Sequence, residues 1–188
     1  ALVRSLLEGE HHELALQVAL QVQEQRPSDA ASFDLLSRVY QARKDEAGLV
    51  AKLREIIAAS PENVIARLVL GERLLRTEDE AANNEAMPLI EKALWPGNDP
   101  VETAGEALLR SLVEKLLERK RADLALGLAE GIRRRQPKDP AAYYLLERVH
   151  RKIGGDAAIK EAFLDYAMQP GGRLPIVRLI LGKAILKL

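Results

Sequence analysis

Two prolines 34 residues apart, Pro27 and Pro61, bracket a stretch that reads as a pair of amphipathic helices with a short break between them. A second copy follows Pro137-Lys138-Asp139, where LLERVH answers the LLSRVY that follows Pro27-Ser28-Asp29. An internal repeat of this period describes helical hairpins, each too small to bury its own apolar face. Such hairpins are stable when stacked on their neighbours. The expected fold is therefore all-α, in one continuous domain over residues 1–188.

The chain can be divided accordingly into five hairpins and a closing helix. The first, over about 1–26, joins the helix end ALVRSLLE to ELALQVALQVQEQ across Gly9-Glu10, with Leu16, Leu20, Ala15 and Ala19 at i, i+4 spacing. The second, 28–60, offers Phe33, Leu36 and Tyr40, then Leu49, Leu53, Ile56 and Ile57, with Ser28 or Asp29 as N-cap. The third, 62–96, offers Leu70 and Leu74, with Gly71 placed for close helix approach. It continues through the polar loop TEDEAANNE into a helix over 85–94, with Ile90 and Ala93 inward. Trp95-Pro96-Gly97-Asn98-Asp99-Pro100 reads as a turn cluster.

The fourth hairpin, 101–136, places Leu109, Leu112 and Leu116 on a long first helix. Ala125, Ala129 and Ile132 follow on the second, beyond a turn at Arg121-Ala122-Asp123. The fifth, 139–169, places Tyr143, Leu146 and Val149 before a Gly154-Gly155-Asp156 turn and Ile159, Phe163 and Tyr166 after it. Pro170-Gly171-Gly172 then leads to a terminal helix over 174–188. Prolines close the hairpins because proline can neither donate to nor pack within a helix interior.

This pattern resembles the tetratricopeptide repeat family. Phe33, Leu36-Ser37 and Tyr40 match the family's first helix, as do Leu70-Gly71 and the pair Tyr143 and Leu146. Ala125, Ala129, Pro61 and Pro137 match its second helix and terminus. The likeness covers residues 10–170. It departs where proline spacings lengthen to 39 and 37 residues, where Glu147 replaces a small residue, and where Leu49 and Ile56 stand in place of alanines. The resemblance implies a right-handed α-solenoid of helix-turn-helix repeats with a concave groove lined by the first helices. Carried over by position, that groove would present Asp34, Arg38 and Gln41, then Leu68, Glu72 and Leu75, then Arg110, Glu114 and Leu117, then Tyr144, Arg148 and Arg151. The carboxylate-clamp members of the family use Lys and Asn where this chain has Asp34 and Arg38, so a chaperone-tail adaptor is excluded.

Composition narrows the function classes. The chain is 47% apolar and 30% charged, which excludes disorder and fits helices with wet outer faces. It has no cysteine, which removes disulfides and thiolate metal sites and is compatible with cytoplasm or periplasm. No stretch reaches the roughly 18–20 apolar residues of a membrane span. The N-terminus shows no signal-peptide pattern, and the chain begins without Met, so it is expected to be an excised or processed piece. Net charge is zero, yet residues 1–99 hold 11 Lys and Arg against 17 Asp and Glu, while residues 100–188 hold 17 against 11. That polarity reads as drift in solvated faces, or as a means of orienting a partner or of joining copies head to tail.

Candidate chemistry is sparse. His11 and His12 are adjacent, whereas a helical metal pair needs i, i+4 spacing, and His150 stands alone. All three read as exposed turn histidines. Glu78, Asp79, Glu80 and Glu85 form an acidic loop without the alternating ligands and glycine of a calcium loop. Arg119-Lys120-Arg121 and Arg133-Arg134-Arg135 are basic but lack interleaved aromatics, so nucleic acid is not the expected partner. Glu114 and Glu118 read as surface carboxylates. No nucleophile–base set assembles, and neither metal nor cofactor is expected.

The terminal helix LPIVRLILGKAILKL is apolar around much of its circumference, through Ile176, Leu179, Ile180, Ile185 and Leu186, with Arg173, Arg178, Lys183 and Lys187 between them. It reads as a surface for further repeats, a homodimer contact or a buried cap, with a membrane-surface helix as the remaining option. The expected function is a non-enzymatic scaffold or adaptor that holds a protein or peptide partner in the groove. Homo-oligomeric assembly through the terminal repeats is the alternative, and an enzyme on a helical scaffold the remote one.

Overall fold

The computed structural model describes residues 2–77, 79–94, 104–168 and 174–188. The expected turns at 95–100 and at Pro170-Gly171-Gly172, together with Glu78 and Arg173, lie outside these. Among the described residues every regular element is an α-helix: α1 (Leu2–Glu8), α2 (His12–Gln25), α3 (Ala30–Ala42), α4 (Glu46–Ala59), α5 (Val64–Leu75), α6 (Glu80–Ala93), α7 (Glu106–Glu118), α8 (Ala122–Arg135), α9 (Pro140–Met168) and α10 (Pro175–Ile185).

Two turn types recur, and each follows from local chemistry. Between α2 and α3, α4 and α5, and α8 and α9 the chain reads Arg26-Pro27-Ser28-Asp29, Ser60-Pro61-Glu62-Asn63 and Gln136-Pro137-Lys138-Asp139. The residue before each proline leaves the helical region, with φ of −134°, −138° and −124°, because the proline ring disfavours helix one position upstream. The fourth residue closes the turn by donating its amide to the first carbonyl, at 3.2, 3.0 and 3.1 Å. Its side chain then caps the next helix: Asp29 accepts from the Ala31 amide, Asn63 from Ala66 and Asp139 from Ala141. Asn63 also donates to the Pro27 carbonyl at 2.6 Å, which links two successive turns of this type.

The second turn type lies between α1 and α2, α3 and α4, and α7 and α8. Each passes through a left-handed residue: Glu10 at φ 60°, Lys44 at 55° and Lys120 at 60°. In each, the following amide reaches back five residues, from His11 to Leu6 at 2.8 Å, Asp45 to Tyr40 at 3.0 Å and Arg121 to Leu116 at 2.8 Å. This is the Schellman closure, which elsewhere favours glycine at the left-handed position. A side chain there costs about 1–2 kcal/mol, while glycine's extra unfolded-state freedom offsets roughly 0.5–1 of it. Lys44→Gly and Lys120→Gly are therefore each expected to raise stability by about 0.5–1 kcal/mol. The shift would be read from the urea midpoint, and an unchanged or lower midpoint would contradict the strain.

The fifth hairpin turns as the sequence predicts. α9 breaks at Gly154 (φ −155°, ψ 25°) and Gly155 (φ 67°, ψ −149°), the second in a region open essentially to glycine. It is a hairpin of two arms, 140–153 and 156–168.

The chain divides into two compact units, Ala1–Leu108 and Leu109–Leu188. In the first unit each helix packs on its neighbour in sequence, and α3 also meets α1 and α5. Its core is Ala15, Ala19, Phe33, Leu36, Leu49, Leu53, Leu70 and Ile90, each at most 1% exposed. In the second unit α9 packs against α8 and α10. Leu112, Leu116, Ala125, Ala129, Leu146, Val149, Ile159 and Phe163 are fully buried there. Leu16, Leu20 and Ile57, expected inside, are half-buried.

α6 begins earlier than expected. The sequence predicts a polar loop up to Glu85, but Asp79 caps Ala81 and Ala82 at 3.1 and 3.3 Å, and the helix runs from Glu80. Pro88 lies inside α6, where it has no amide to offer the Asn84 carbonyl.

Candidate partner-binding site

The second unit holds six of the twelve expected binding residues. All but the first three residues of α7 belong to it. The heptad-spaced face of α7 carries Arg110, Glu114 and Leu117, and the first arm of α9 carries Tyr144, Arg148 and Arg151. Arg148 holds Glu114 through two hydrogen bonds of 2.5 Å, one from each terminal nitrogen. Arg110 donates to Asp139 at 2.9 Å, tying α7 to the turn that starts α9. Arg151 bonds both Glu147 and Asp156, each at 2.7 Å.

Between these two helices lies an open cleft of about 320 Å³, lined by Glu114, Leu117, Glu118, Arg148, Arg151 and Lys152. The α7 wall is acidic and the α9 wall basic, and Leu117, largely buried at 8% exposure, lies at the base. Tyr144 stands one turn before Arg148 and is 45% exposed. An exposed ion pair contributes only about 0.2–1 kcal/mol, so the bidentate geometry of Arg148 and Glu114 matters more for spacing the helices than for stability. Lys152 is absent from the expected groove. It stands one turn after Arg148 on the same helix, and that i, i+4 step was the available signal. Glu118, read as an ordinary surface carboxylate, also belongs to the cleft.

The first unit treats its expected groove residues differently. Asp34, Arg38 and Gln41 are exposed along α3, with Arg38 bonded to Asp34 at 2.8 Å. Leu68, Glu72 and Leu75 are 0%, 2% and 1% exposed, so they form part of the interior and present no surface to a partner. The reason is that α5 is apolar on nearly every side, from Ile65 and Ala66 through Val69 and Leu70 to Leu74, and such a helix is driven to a central position. The buried Glu72 carboxylate accepts from Arg76 at 2.8 Å. Arg38 also lines a separate apolar cleft of about 830 Å³ among α1, α2 and α3.

His11 is exposed in the turn before α2, as expected, whereas the other two histidines differ from that expectation. His12 opens α2 and is half-buried. His150 is half-buried in the first arm of α9, with Nε2 3.4 Å from the Tyr166 hydroxyl. Tyr166 in turn donates to Glu130, and Arg133 sits 4.8 Å over its ring while bonding Glu130 at 3.0 Å. This cluster joins α8 to both arms of α9. Burial, reinforced by the Glu130 acceptor, pushes the Tyr166 hydroxyl well above its ordinary value. Burial holds the His150 imidazole below its ordinary 6.5, against the opposing pull of Glu130.

The depressed His150 value fixes a direction. The unfolded chain takes up the proton near pH 6.5 while the fold resists it, so stability is complete above that pH and falls as pH drops through the window below it. The thermal midpoint is expected to decline from pH 7.5 to 5.5, and His150→Gln to flatten that slope. An identical slope in the variant would remove His150 as its source.

Among the described residues no group of His, Asp and Glu is arranged to hold a metal ion, and no helix is long and apolar enough to cross a membrane. No protein-family model matches the chain, and no curated protein matches it in sequence.

Proposed function

We propose that this chain is a tetratricopeptide-like, right-handed helical-repeat module that binds a partner protein without catalysing a reaction, and that its second unit holds an extended or helical peptide in the cleft between α7 and the first arm of α9. The observation that carries this reading is the convergence of Glu114, Leu117, Glu118, Arg148, Arg151 and Lys152 on one open cleft. The exposed Tyr144 beside it supplies an aromatic anchor, the residue type that most often dominates binding energy. Opposite charges on the two walls would set the peptide's direction, with its acidic side chains toward α9 and its basic ones toward α7. No cofactor or metal takes part.

A random peptide-display library panned on the immobilised chain tests this reading. Peptides selected by the parent should bind the Tyr144→Ala, Arg148→Glu double variant at least about 30-fold more weakly, the sum of one aromatic and one charged contact of about 1 kcal/mol each. Circular dichroism would establish that both proteins are folded. Equal binding to both would remove the cleft as the recognition site.

A further inference from the structure

The two units carry opposite charge. Residues 1–108 hold 11 Lys and Arg against 19 Asp and Glu, and residues 109–188 hold 17 against 9, so one unit is −8 and the other +8. A chain neutral in total is thus strongly polar between its compact parts. No acidic residue follows Asp165, while Arg178, Lys183 and Lys187 lie on or just beyond α10.

α10 also leaves apolar surface open. Ile176, Val177, Ile180 and Ala184 are buried against α9, whereas Leu179 is 47%, Ile185 48% and Leu186 88% exposed. Leu179, Gly182 and Leu186 follow each other at i, i+3, i+7 and form one outward stripe. At Gly182 a Cβ would meet nothing within 4 Å, so the stripe has a notch where another helix could approach the backbone. Exposed leucines between cations, on the positive unit, describe a ridge suited to an apolar seat in an acidic surface.

The first unit, acidic in total, contains an apolar seat. The cleft among α1, α2 and α3 is lined by Leu2, Val3, Leu7, Val18, Val22 and Leu35, with Arg4, Glu8 and Arg38 at its edge; Arg4 is paired with Glu8 and Arg38 with Asp34, each at 2.8 Å. Leu2 is 61% exposed there.

We propose that copies of this chain associate head to tail, the α10 ridge of one copy seating in the α1–α3 cleft of the next, with the −8 and +8 units face to face. The ridge and the cleft are different surfaces, so the contact is heterologous and a joined pair leaves one ridge and one cleft free. This assembly is independent of the peptide cleft, whose residues it does not use.

The decisive test uses two exposed-site variants whose folding is checked by circular dichroism. Leu2→Glu spoils the cleft and keeps the ridge; Leu179→Glu with Leu186→Glu spoils the ridge and keeps the cleft. Sedimentation of the parent over micromolar to near-millimolar concentration should show association that weakens at least about tenfold between 50 and 500 mM NaCl. Each variant alone should remain monomeric. Mixed, they should form a 1:1 complex that grows no further, since one ridge and one cleft remain between them. A parent that stays monomeric throughout overturns the proposal. So does a Leu2→Glu chain that still self-associates, which would indicate a two-fold contact of α10 with α10, and so does a mixture that forms no complex. Should a leucine variant fail to fold, Lys183→Glu with Lys187→Glu keeps the proposal testable: parent-like self-association of that chain would overturn it. Binding of the parent to anionic vesicles of phosphatidylserine and phosphatidylcholine in place of self-association would likewise overturn it, assigning the ridge to a lipid surface.

Discussion

Phe163→Ala is expected to destabilise the second unit by about 3–5 kcal/mol. Phe163 is fully buried on the second arm of α9, edge-on to Tyr166 with ring centroids 5.2 Å apart. Its removal forfeits apolar burial and leaves a cavity that the surrounding helices only partly fill. It also withdraws one of two edge contacts that position Tyr166, the other being Tyr143 at 6.5 Å. Tyr166 in turn holds Glu130 and receives Arg133 over its ring, so the change should loosen α8 as well as α9. Since folded domains retain only about 5–15 kcal/mol, a loss of this size would leave the unit marginal. Urea unfolding with hydrogen exchange resolved by peptide would measure it. The expected result is accelerated exchange across residues 122–168, with peptides from α2 to α4 protected as in the parent. A loss below about 1 kcal/mol would mean that the site collapses around the missing ring.

The second large effect is a reversal of sign. Gly71 lies in α5, and a Cβ added there would come within 2.6 Å of Ile90 Cγ1 and 3.1 Å of its Cδ1, on α6. Gly71→Ala gains about 1 kcal/mol of helix propensity, but overpacking a closed core costs about 1–3 kcal/mol. Because Cγ1 is held close to the α6 backbone and Ile90 is fully buried, the clash is expected to win, with a net loss of about 1–2 kcal/mol. Ile90→Ala alone should cost about 2–5 kcal/mol. In that background the obstructing atoms are gone, and Gly71→Ala should become stabilising by up to about 1 kcal/mol. A double-mutant cycle measures the coupling directly. Additive single effects would show that the α5–α6 approach is looser than 2.6 Å implies.

Much of this interior can be read from the chain. Phe33, Leu36, Tyr40, Leu53, Leu112, Ala129, Leu146 and Phe163 were all expected inside and are buried, because a period of 3.6 residues constrains which positions share a face. The turns were legible for a similar reason: X-Pro-x-Asx determines its own backbone locally. Where the reading fell short, the deciding interaction is not local. Groove positions were assigned by their place in the repeat, yet Leu68, Glu72 and Leu75 are buried because α5 is apolar all round, a property of the whole helix. His150 looked solitary because its partners Tyr166 and Glu130 lie 16 and 20 positions away in sequence. The α6 start lies earlier than the polar run suggests because Asp79 caps the helix, and that cap outweighs the amide missing at Pro88. The candidate cleft is partly legible: Glu114, Arg148 and Arg151 are expected to share a surface, while Lys152 is signalled only by its i, i+4 step from Arg148.

The neighbour-to-neighbour packing of the first unit has a kinetic consequence. Its contacts join helices one or two steps apart in the chain, so its contact order is low. Bringing such partners together closes only short loops, whose entropic cost is small and is incurred in increments. Nucleation can begin at whichever hairpin forms first and spread outward in either direction. Refolding of this unit after a denaturant jump should accordingly finish within milliseconds, with no slow phase beyond that set by proline isomerisation in the unfolded chain.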